Sequence, residues 1–320
     1  MTGTLVPPAT TIRPTPPTTL PSPFGAGGSN ASRGIGFMVA ATLMFCLGDT
    51  LMKLAADTLP TTEVMFVRSL VATLVVTGAL IATGTIRRYR EALVKAMALR
   101  ATTDASASLL FQSALARMQF ADIMGVNQLQ TLSLTAGSAL FLGESVGWRR
   151  WSAVGVGLVG ALLIIKPGTS AFDWWALAAV GAVLLASTRE IATRKIPSTV
   201  PTPLIMMISS AVVTLASLAG ALFTPWAMPG GKDLAMMIGA GFFSLIGQYC
   251  TISAIRSAEM SVIAPFRYAA MIWALTLGFI IWQHIPDKWS LFGIAAITGA
   301  GLYTFHRERV RKVKRDTLPT

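Results

Sequence analysis

Long apolar stretches alternate along the chain with short polar ones. Ten of them approach the ~20 mostly apolar residues that a helix needs to cross a hydrocarbon core. Five fall in the first half, at 34–56, 64–83, 101–118, 123–142 and 148–165. Five fall in the second, at 174–192, 203–223, 234–252, 262–282 and 289–305. The third stretch starts on the polar residues Thr102, Thr103 and Asp104. This pattern predicts an all-α integral membrane protein with ten transmembrane helices.

The two halves repeat one another. Asp49 and Lys53 sit four apart in the first apolar stretch, and Glu190 and Arg194 do the same 141 positions later. Pro60 and Pro201 keep that displacement, as do Met65 and Met206. Further along, Arg117 aligns with Arg256, Ile123 with Val262 and Gly160 with Gly299, at 139 positions. Duplicated units are a common plan of secondary transporters. Five spans per unit is an odd number, so the second copy is expected to enter the membrane upside down, giving two inverted five-helix repeats.

Charge adds a topology. Arg87, Arg88, Arg90 and Lys95 fill one loop, Arg149 and Arg150 another, and Arg194 and Lys195 a third. The C-terminal segment carries Arg307, Arg309, Arg311, Lys312, Lys314 and Arg315. The alternate loops hold scattered bases beside Asp57, Asp173, Asp233 and Asp287. Excess Lys and Arg stays cytoplasmic, which puts both termini inside. The net charge of +12 therefore reads as topology and not as nucleic-acid binding. Only 12% of residues are charged, about half the share of a soluble domain. Residues 1–32 are rich in Thr and Pro without a basic start and apolar core, and are expected to be a disordered cytoplasmic tail. The repeats are expected at 33–168 and 169–307, with a basic cytoplasmic tail at 308–320. Seven tryptophans near span ends, among them Trp148, Trp174, Trp226, Trp282 and Trp289, fit an interfacial belt.

Soluble-enzyme motifs do not survive their context. Gly155, Gly157 and Gly160 match a dinucleotide fingerprint, but inside an apolar helix with no preceding strand they read as a helix-packing surface. Gly293, Gly299 and Gly301 are expected to pack in the same way. No phosphate-binding loop, zinc motif or nucleophile elbow is present in the sequence. Cys46 and Cys250 lack disulfide or metal spacing and read as small packing residues. His284 and His306 receive no role. No enzyme activity, cofactor or metal is expected.

Charge within the apolar stretches is the functional signal. A charged side chain in hydrocarbon costs ~2.5–3.5 kcal/mol on lenient scales, so it faces protein or water and has a partner. Asp49 and Arg68 fall at similar depth and are expected to pair, with Lys53 one turn further out. Glu190 and Arg267 also fall at similar depth, with Arg194 one turn nearer the cytoplasm. The first group is expected to close the outer side and the second the inner side. The plainer alternative has Lys53 and Arg194 snorkelling to the headgroups, with the acids paired locally. The symmetry is imperfect, because Arg68 corresponds to Ser209 and Arg267 to Gln128. Candidate cavity residues are Asn127, Gln128, Gln130 and Thr131 in span 4, Arg267, Tyr268 and Trp273 in span 9, Gln248 in span 8, and Asp104 in span 3. Polar residues of this kind can also simply join helices.

These residues resemble the drug/metabolite transporter superfamily with two EamA-type domains. The resemblance rests on Gly48-Asp49 and Lys53, on Arg68, on Ala121-Asp122, on Leu142-Gly143-Glu144 leading to Arg149-Arg150-Trp151, on Ile165-Lys166-Pro167-Gly168, and on Ala264-Pro265-Phe266-Arg267-Tyr268. It implies a ten-helix inverted-repeat transporter with a central cavity lined by spans 1, 3, 4, 6, 8 and 9. Members are similar in using alternating access, often coupled to protons or exchange. They include riboflavin importers, S-adenosylmethionine carriers and metabolite exporters. This chain departs in carrying Thr131 where relatives have a proline in span 4, which argues for a more polar cavity.

The expected function is secondary transport of a small polar or amphipathic metabolite in a bacterial inner membrane, with Asp49 or Glu190 as the protonatable group. The partners are the substrate, the bilayer and a coupling proton, with a homodimer left open. The narrower alternative is uptake of riboflavin or S-adenosylmethionine. The alternative of another class is a membrane scaffold or sensor without flux.

Overall fold

The computed structural model describes residues 29–92, 94–142, 148–166, 173–197, 199–257 and 263–316. Eleven α-helices run in order: α1 Ser29–Ala56, α2 Thr61–Ala82, α3 Lys95–Arg117, α4 Phe120–Asn127, α5 Leu129–Leu142, α6 Trp148–Ile165, α7 Trp174–Arg194, α8 Thr202–Ala219, α9 Gly231–Ser257, α10 Ala269–Trp282 and α11 Lys288–Asp316. Short 3-10 segments occur at Thr85–Ala92, Gly220–Leu222 and Ala264–Tyr268. No strand occurs among the described residues.

Among the described residues five helices are long and apolar enough to cross a membrane: Ser32–Ala56, Thr61–Ala82, Trp174–Thr193, Thr202–Leu222 and Gly231–Thr251. Two shorter apolar helices cover Trp151–Ile165 and Phe266–Trp282. The expected spans at 101–118 and 289–305 lie within the continuous helices α3 and α11, and two expected spans are interrupted, each for a physical cause.

The stretch at 123–142, expected to be continuous, is broken at Gln128 into α4 and α5. The Gln128 N–H reaches the carbonyls of Gly125 and Val126, a tightened helix end formed without proline. The stretch at 262–282 is likewise not one α-helix, because Ala264–Tyr268 is 3-10 and only Ala269–Trp282 is α. Pro265 lacks the N–H that a regular turn would use. Gln128 and Arg267 are 139 positions apart, so both halves break at the same place.

Three other boundaries move. Helix α3 starts at Lys95, ahead of the expected 101, and so takes in Arg100. Helix α1 starts at Ser29, within the segment expected to be disordered. Helix α11 runs on to Asp316, so the basic segment continues the last helix. Residues 1–28, Gly143, Glu144, Pro167, Gly168, residues 317–320 and the side chains of Arg149, Arg150, Arg194 and Arg256 lie outside what the structure describes.

The helices pack in pairs that respect the repeat. Helix α1 packs on α9, and α3 on α7. Helix α2 packs on α9, and α3 on α8. Helix α1 packs on α10, and α5 on α7. Exchanging the halves turns the first member of each couple into the second. The pairs α2 with α8 and α6 with α11 map onto themselves.

Apolar surface gains little by leaving lipid for protein, so close approach does the packing here. Gly160 of α6 and Gly293 of α11 show it most sharply. A Cβ on Gly160 would lie 2.8 Å from the Gly293 carbonyl oxygen and 2.9 Å from Ile297. A Cβ on Gly157 would collide with Leu132, whereas Gly155 and Gly299 face open space. The fingerprint-like spacing is thus a packing surface through two of its three glycines. The shared core joins Met52, Val64, Leu115, Ile123, Met237 and Ile297, from helices of both halves. Cys46 and Cys250 are free and buried. Trp148, Trp174 and Trp289 are exposed. Trp282 instead stacks on Phe120 at 5.5 Å, and Trp226 packs on Phe66 at 5.1 Å.

Candidate functional site

Two polar clusters lie inside the bundle. The first joins α1, α2, α3 and α9. Asp49 accepts a hydrogen bond from Gln112 Nε2 at 3.3 Å. Arg68 acts on Asp49 electrostatically, without an ion pair within 4.0 Å among the described residues, and spends its Nε donor on Ser244 Oγ at 3.0 Å. Lys53 takes a different course from both expectations. It makes no ion pair with Asp49 among the described residues. It is buried, and Nζ donates to the carbonyls of Leu115 at 2.6 Å and Met118 at 2.7 Å. These carbonyls belong to the C-terminal end of α3, where backbone acceptors lack helical partners. The ammonium also lies 5.7 Å over the Trp282 ring. A cleft beside it is lined by Met52, Lys53, Ala56, Thr61, Val64, Gln112, Leu115 and Ala116.

The second cluster joins α3, α5, α7, α8 and the 3-10 segment before α10. Glu190 Oε1 lies 3.9 Å from Arg267 Nη1, and its Oε2 accepts from Gln130 Nε2 at 3.4 Å. Next to it, Asp104 Oδ1 accepts from Arg189 Nη1 at 2.8 Å, while Oδ2 lies 3.7 Å from Arg100 Nη1. Arg100 also donates through Nε to Thr193 Oγ1 at 2.9 Å and through Nη1 to Ser209 Oγ.

The helix breaks place the rest. Gln128 and Gln130 are buried at the α4–α5 junction. Tyr268 is buried across from it, its hydroxyl toward Thr131 and hard against Gly301. Asn127 and Gln248 are half-buried and make no hydrogen bond among the described residues. Trp273 donates to Thr42 Oγ1 at 3.3 Å, a contact that fixes α10 to α1.

Sequence reasoning passed over Arg100, Arg189, Gln112 and Ser244. Arg189 was visible as a charge inside an apolar stretch, but attention to the acid-then-base spacing favoured Arg194. Arg100 stood one residue ahead of the expected third span. Its pairing with Ser209 answers the broken symmetry. Arg68 of α2 donates to Ser244 of α9, and Ser209 of α8 receives from Arg100 of α3. An arginine–serine contact thus joins the corresponding helix pair in each half, α2 with α9 and α8 with α3. Among the described residues no group of three His, Cys, Asp or Glu side chains could hold a metal ion.

Comparison with known proteins decides the family. The model of the EamA-like transporter family matches residues 32–166 and again 173–305. This chain belongs to the EamA-like transporter family. As a member it is a multi-pass membrane protein of a transporter family, not an enzyme.

Several EamA relatives carry named substrates. The pseudopaline exporter CntI of Pseudomonas aeruginosa (strain UCBPP-PA14) is 25% identical over 81% of this chain and 91% of that protein. A riboflavin transporter of Rhizobium johnstonii is 29% identical over 56% of this chain. An S-adenosylmethionine uptake transporter of Rickettsia felis is 26% identical over 54% of it. The matches span 59% of the riboflavin transporter and 58% of the S-adenosylmethionine transporter. A solved crystal structure superposes with a TM-score of 0.59 at 18% identity, over 85% of this chain and 96% of that one. That likeness speaks to the fold alone.

Proposed function

We propose that this EamA protein is a secondary transporter that moves a small polar or amphipathic metabolite by alternating access. The observation that carries the reading is the Glu190–Arg267 pair, set where α7 meets the 3-10 break before α10. Interrupted helices beside intramembrane charge are the usual setting of transporter substrate sites. Ten spanning segments in two inverted repeats complete the proposal, with both termini cytoplasmic in a bacterial inner membrane. The exchange of packing partners between the halves supports the repeat. Asp49, Lys53 and Arg68 act at the outer gate, and Glu190, Arg194 and Arg267 at the inner one. Glu190 is the proposed coupling acid, since protonation removes the charge that holds Arg267.

The test is flux into proteoliposomes from a panel of riboflavin, S-adenosylmethionine, amino acids and nucleotide sugars, with and without a pH gradient. Saturable flux that the gradient drives, and that Glu190→Gln uncouples from it, supports the proposal. Gradient-insensitive flux removes the proton and leaves exchange or facilitated flow. Saturable binding with no flux of the bound compound would favour a sensor. The riboflavin and S-adenosylmethionine relatives favour uptake as a second reading, which accumulation of either compound would establish.

A further inference from the structure

Resting on the transporter reading, we propose that the substrate is an organic anion whose carboxylate is held by Arg267.

The charges of the second cluster do not cancel. Three guanidiniums, of Arg100, Arg189 and Arg267, face two carboxylates, of Asp104 and Glu190. One acid, Asp104, is shared between two arginines, with a close contact to Arg189 at 2.8 Å and a loose one to Arg100 at 3.7 Å. The other, Glu190, stands off from Arg267 at 3.9 Å. Among the described residues the Arg267 guanidinium makes no hydrogen bond, although it carries five donors. Gln130 gives its amide N–H to Glu190 and so competes for the same carboxylate.

Such a surplus is costly within a bilayer, where a charge faces protein or water. The Arg189 and Arg267 side chains are partly open. An arriving anion would supply the missing countercharge and occupy the idle donors. The planar fork of a guanidinium matches a carboxylate through two parallel hydrogen bonds. Phosphate meets the same donors, and the test separates the two.

The first cluster makes the contrast. There Arg68 and Lys53 each have neutral acceptors in hand, a serine hydroxyl and two backbone carbonyls. Arg68 and Lys53 are thus each anchored to protein acceptors, whereas the Arg267 guanidinium makes no hydrogen bond among the described residues.

The purified full chain in nanodiscs is titrated with citrate, succinate, glutamate and inorganic phosphate, with choline and riboflavin as cationic and neutral controls. Melting temperature reads binding by linkage. A carboxylate is expected to stabilise the protein saturably, and Arg267→Gln to weaken its binding by about tenfold to a hundredfold. Arg267→Lys, which keeps charge but not the fork, is expected to fall between, and it serves where the glutamine variant does not fold. Binding of phosphate but of no carboxylate, of choline or riboflavin alone, or of a carboxylate equally by the parent and both variants would overturn the proposal. Flux is then measured in proteoliposomes. An anion that binds at Arg267 without crossing would refute the transporter reading and leave the anion site standing. A neutral or cationic compound that crosses would do the reverse.

Discussion

The hydroxyl oxygens of Thr73 on α2 and Thr214 on α8 lie 3.3 Å apart. They are separated by 141 positions, the displacement that relates Asp49 to Glu190. A residue can meet its own counterpart only where the operation relating the halves returns a place to itself, which is a two-fold axis. Thr73→Cys with Thr214→Cys, in a Cys46→Ser and Cys250→Ser background, is expected to form an intramolecular disulfide under mild oxidation. Mass spectrometry of the linked peptides checks it. Failure to link would move the axis elsewhere.

Lys53 holds the end of α3 through two backbone carbonyls. Lys53→Met keeps most of the stem and removes the donor. Leaving a buried acceptor unsatisfied costs ~1–3 kcal/mol. A clear fall in melting temperature in nanodiscs is the expected result, larger than for Lys232→Met on an exposed surface. Equal effects would show that the cap contributes little.

Gly301 has no room for a side chain, since its Cβ would run into the Tyr268 hydroxyl. Gly301→Ala is expected to destabilise by ~1–3 kcal/mol through overpacking. Tyr268→Phe removes the colliding oxygen and should recover part of that loss. Thermal denaturation of the two single variants and the double variant gives the coupling. Additive losses would mean that the two residues do not meet.

Outside the spans, Asp287 holds Lys166 at 2.8 Å and accepts the Ser290 N–H at 3.2 Å. The Lys166 hydrogen bond is the main cause that draws its carboxyl down to about 2, with Ser290 adding to it. A depressed pKa contributes stability that is full above the unfolded value near ~3.9 and is lost as pH falls through the folded one. Asp287→Asn should therefore melt slightly below the parent at pH 6, with the gap closing as pH falls from 4 toward about 2. The effect is small, because the carboxylate is 46% exposed. A gap independent of pH would assign the loss to packing.

Much of the scaffold was legible in the sequence, because a bilayer leaves few options: continuous apolar runs become helices, and a repeated acid–base spacing marks a duplication. The breaks were less legible. Pro265 announces the one before α10, but nothing of the kind stands at Gln128. The counterpart position had to do that work, and it could have been read from the alignment of Gln128 with Arg267. Side-chain partners were the least legible. Lys53 sits one helical turn from Asp49, and spacing alone favours that neighbour. Only the three-dimensional approach of α3's last turn offers it two carbonyls instead. Arg100 was lost to a boundary drawn a residue too late.

Gln128 and Arg267 occupy the same place in the two halves, one neutral and one cationic. A bundle with perfect two-fold symmetry would present one electrical face to both sides of the membrane and would have no reason to tell them apart. If the halves are inverted as proposed, the backbone could be turned over and still look alike, while the charge could not. In the proposed inverted repeat, differences of this kind, Arg68 against Ser209 among them, give an otherwise reversible frame a front and a back.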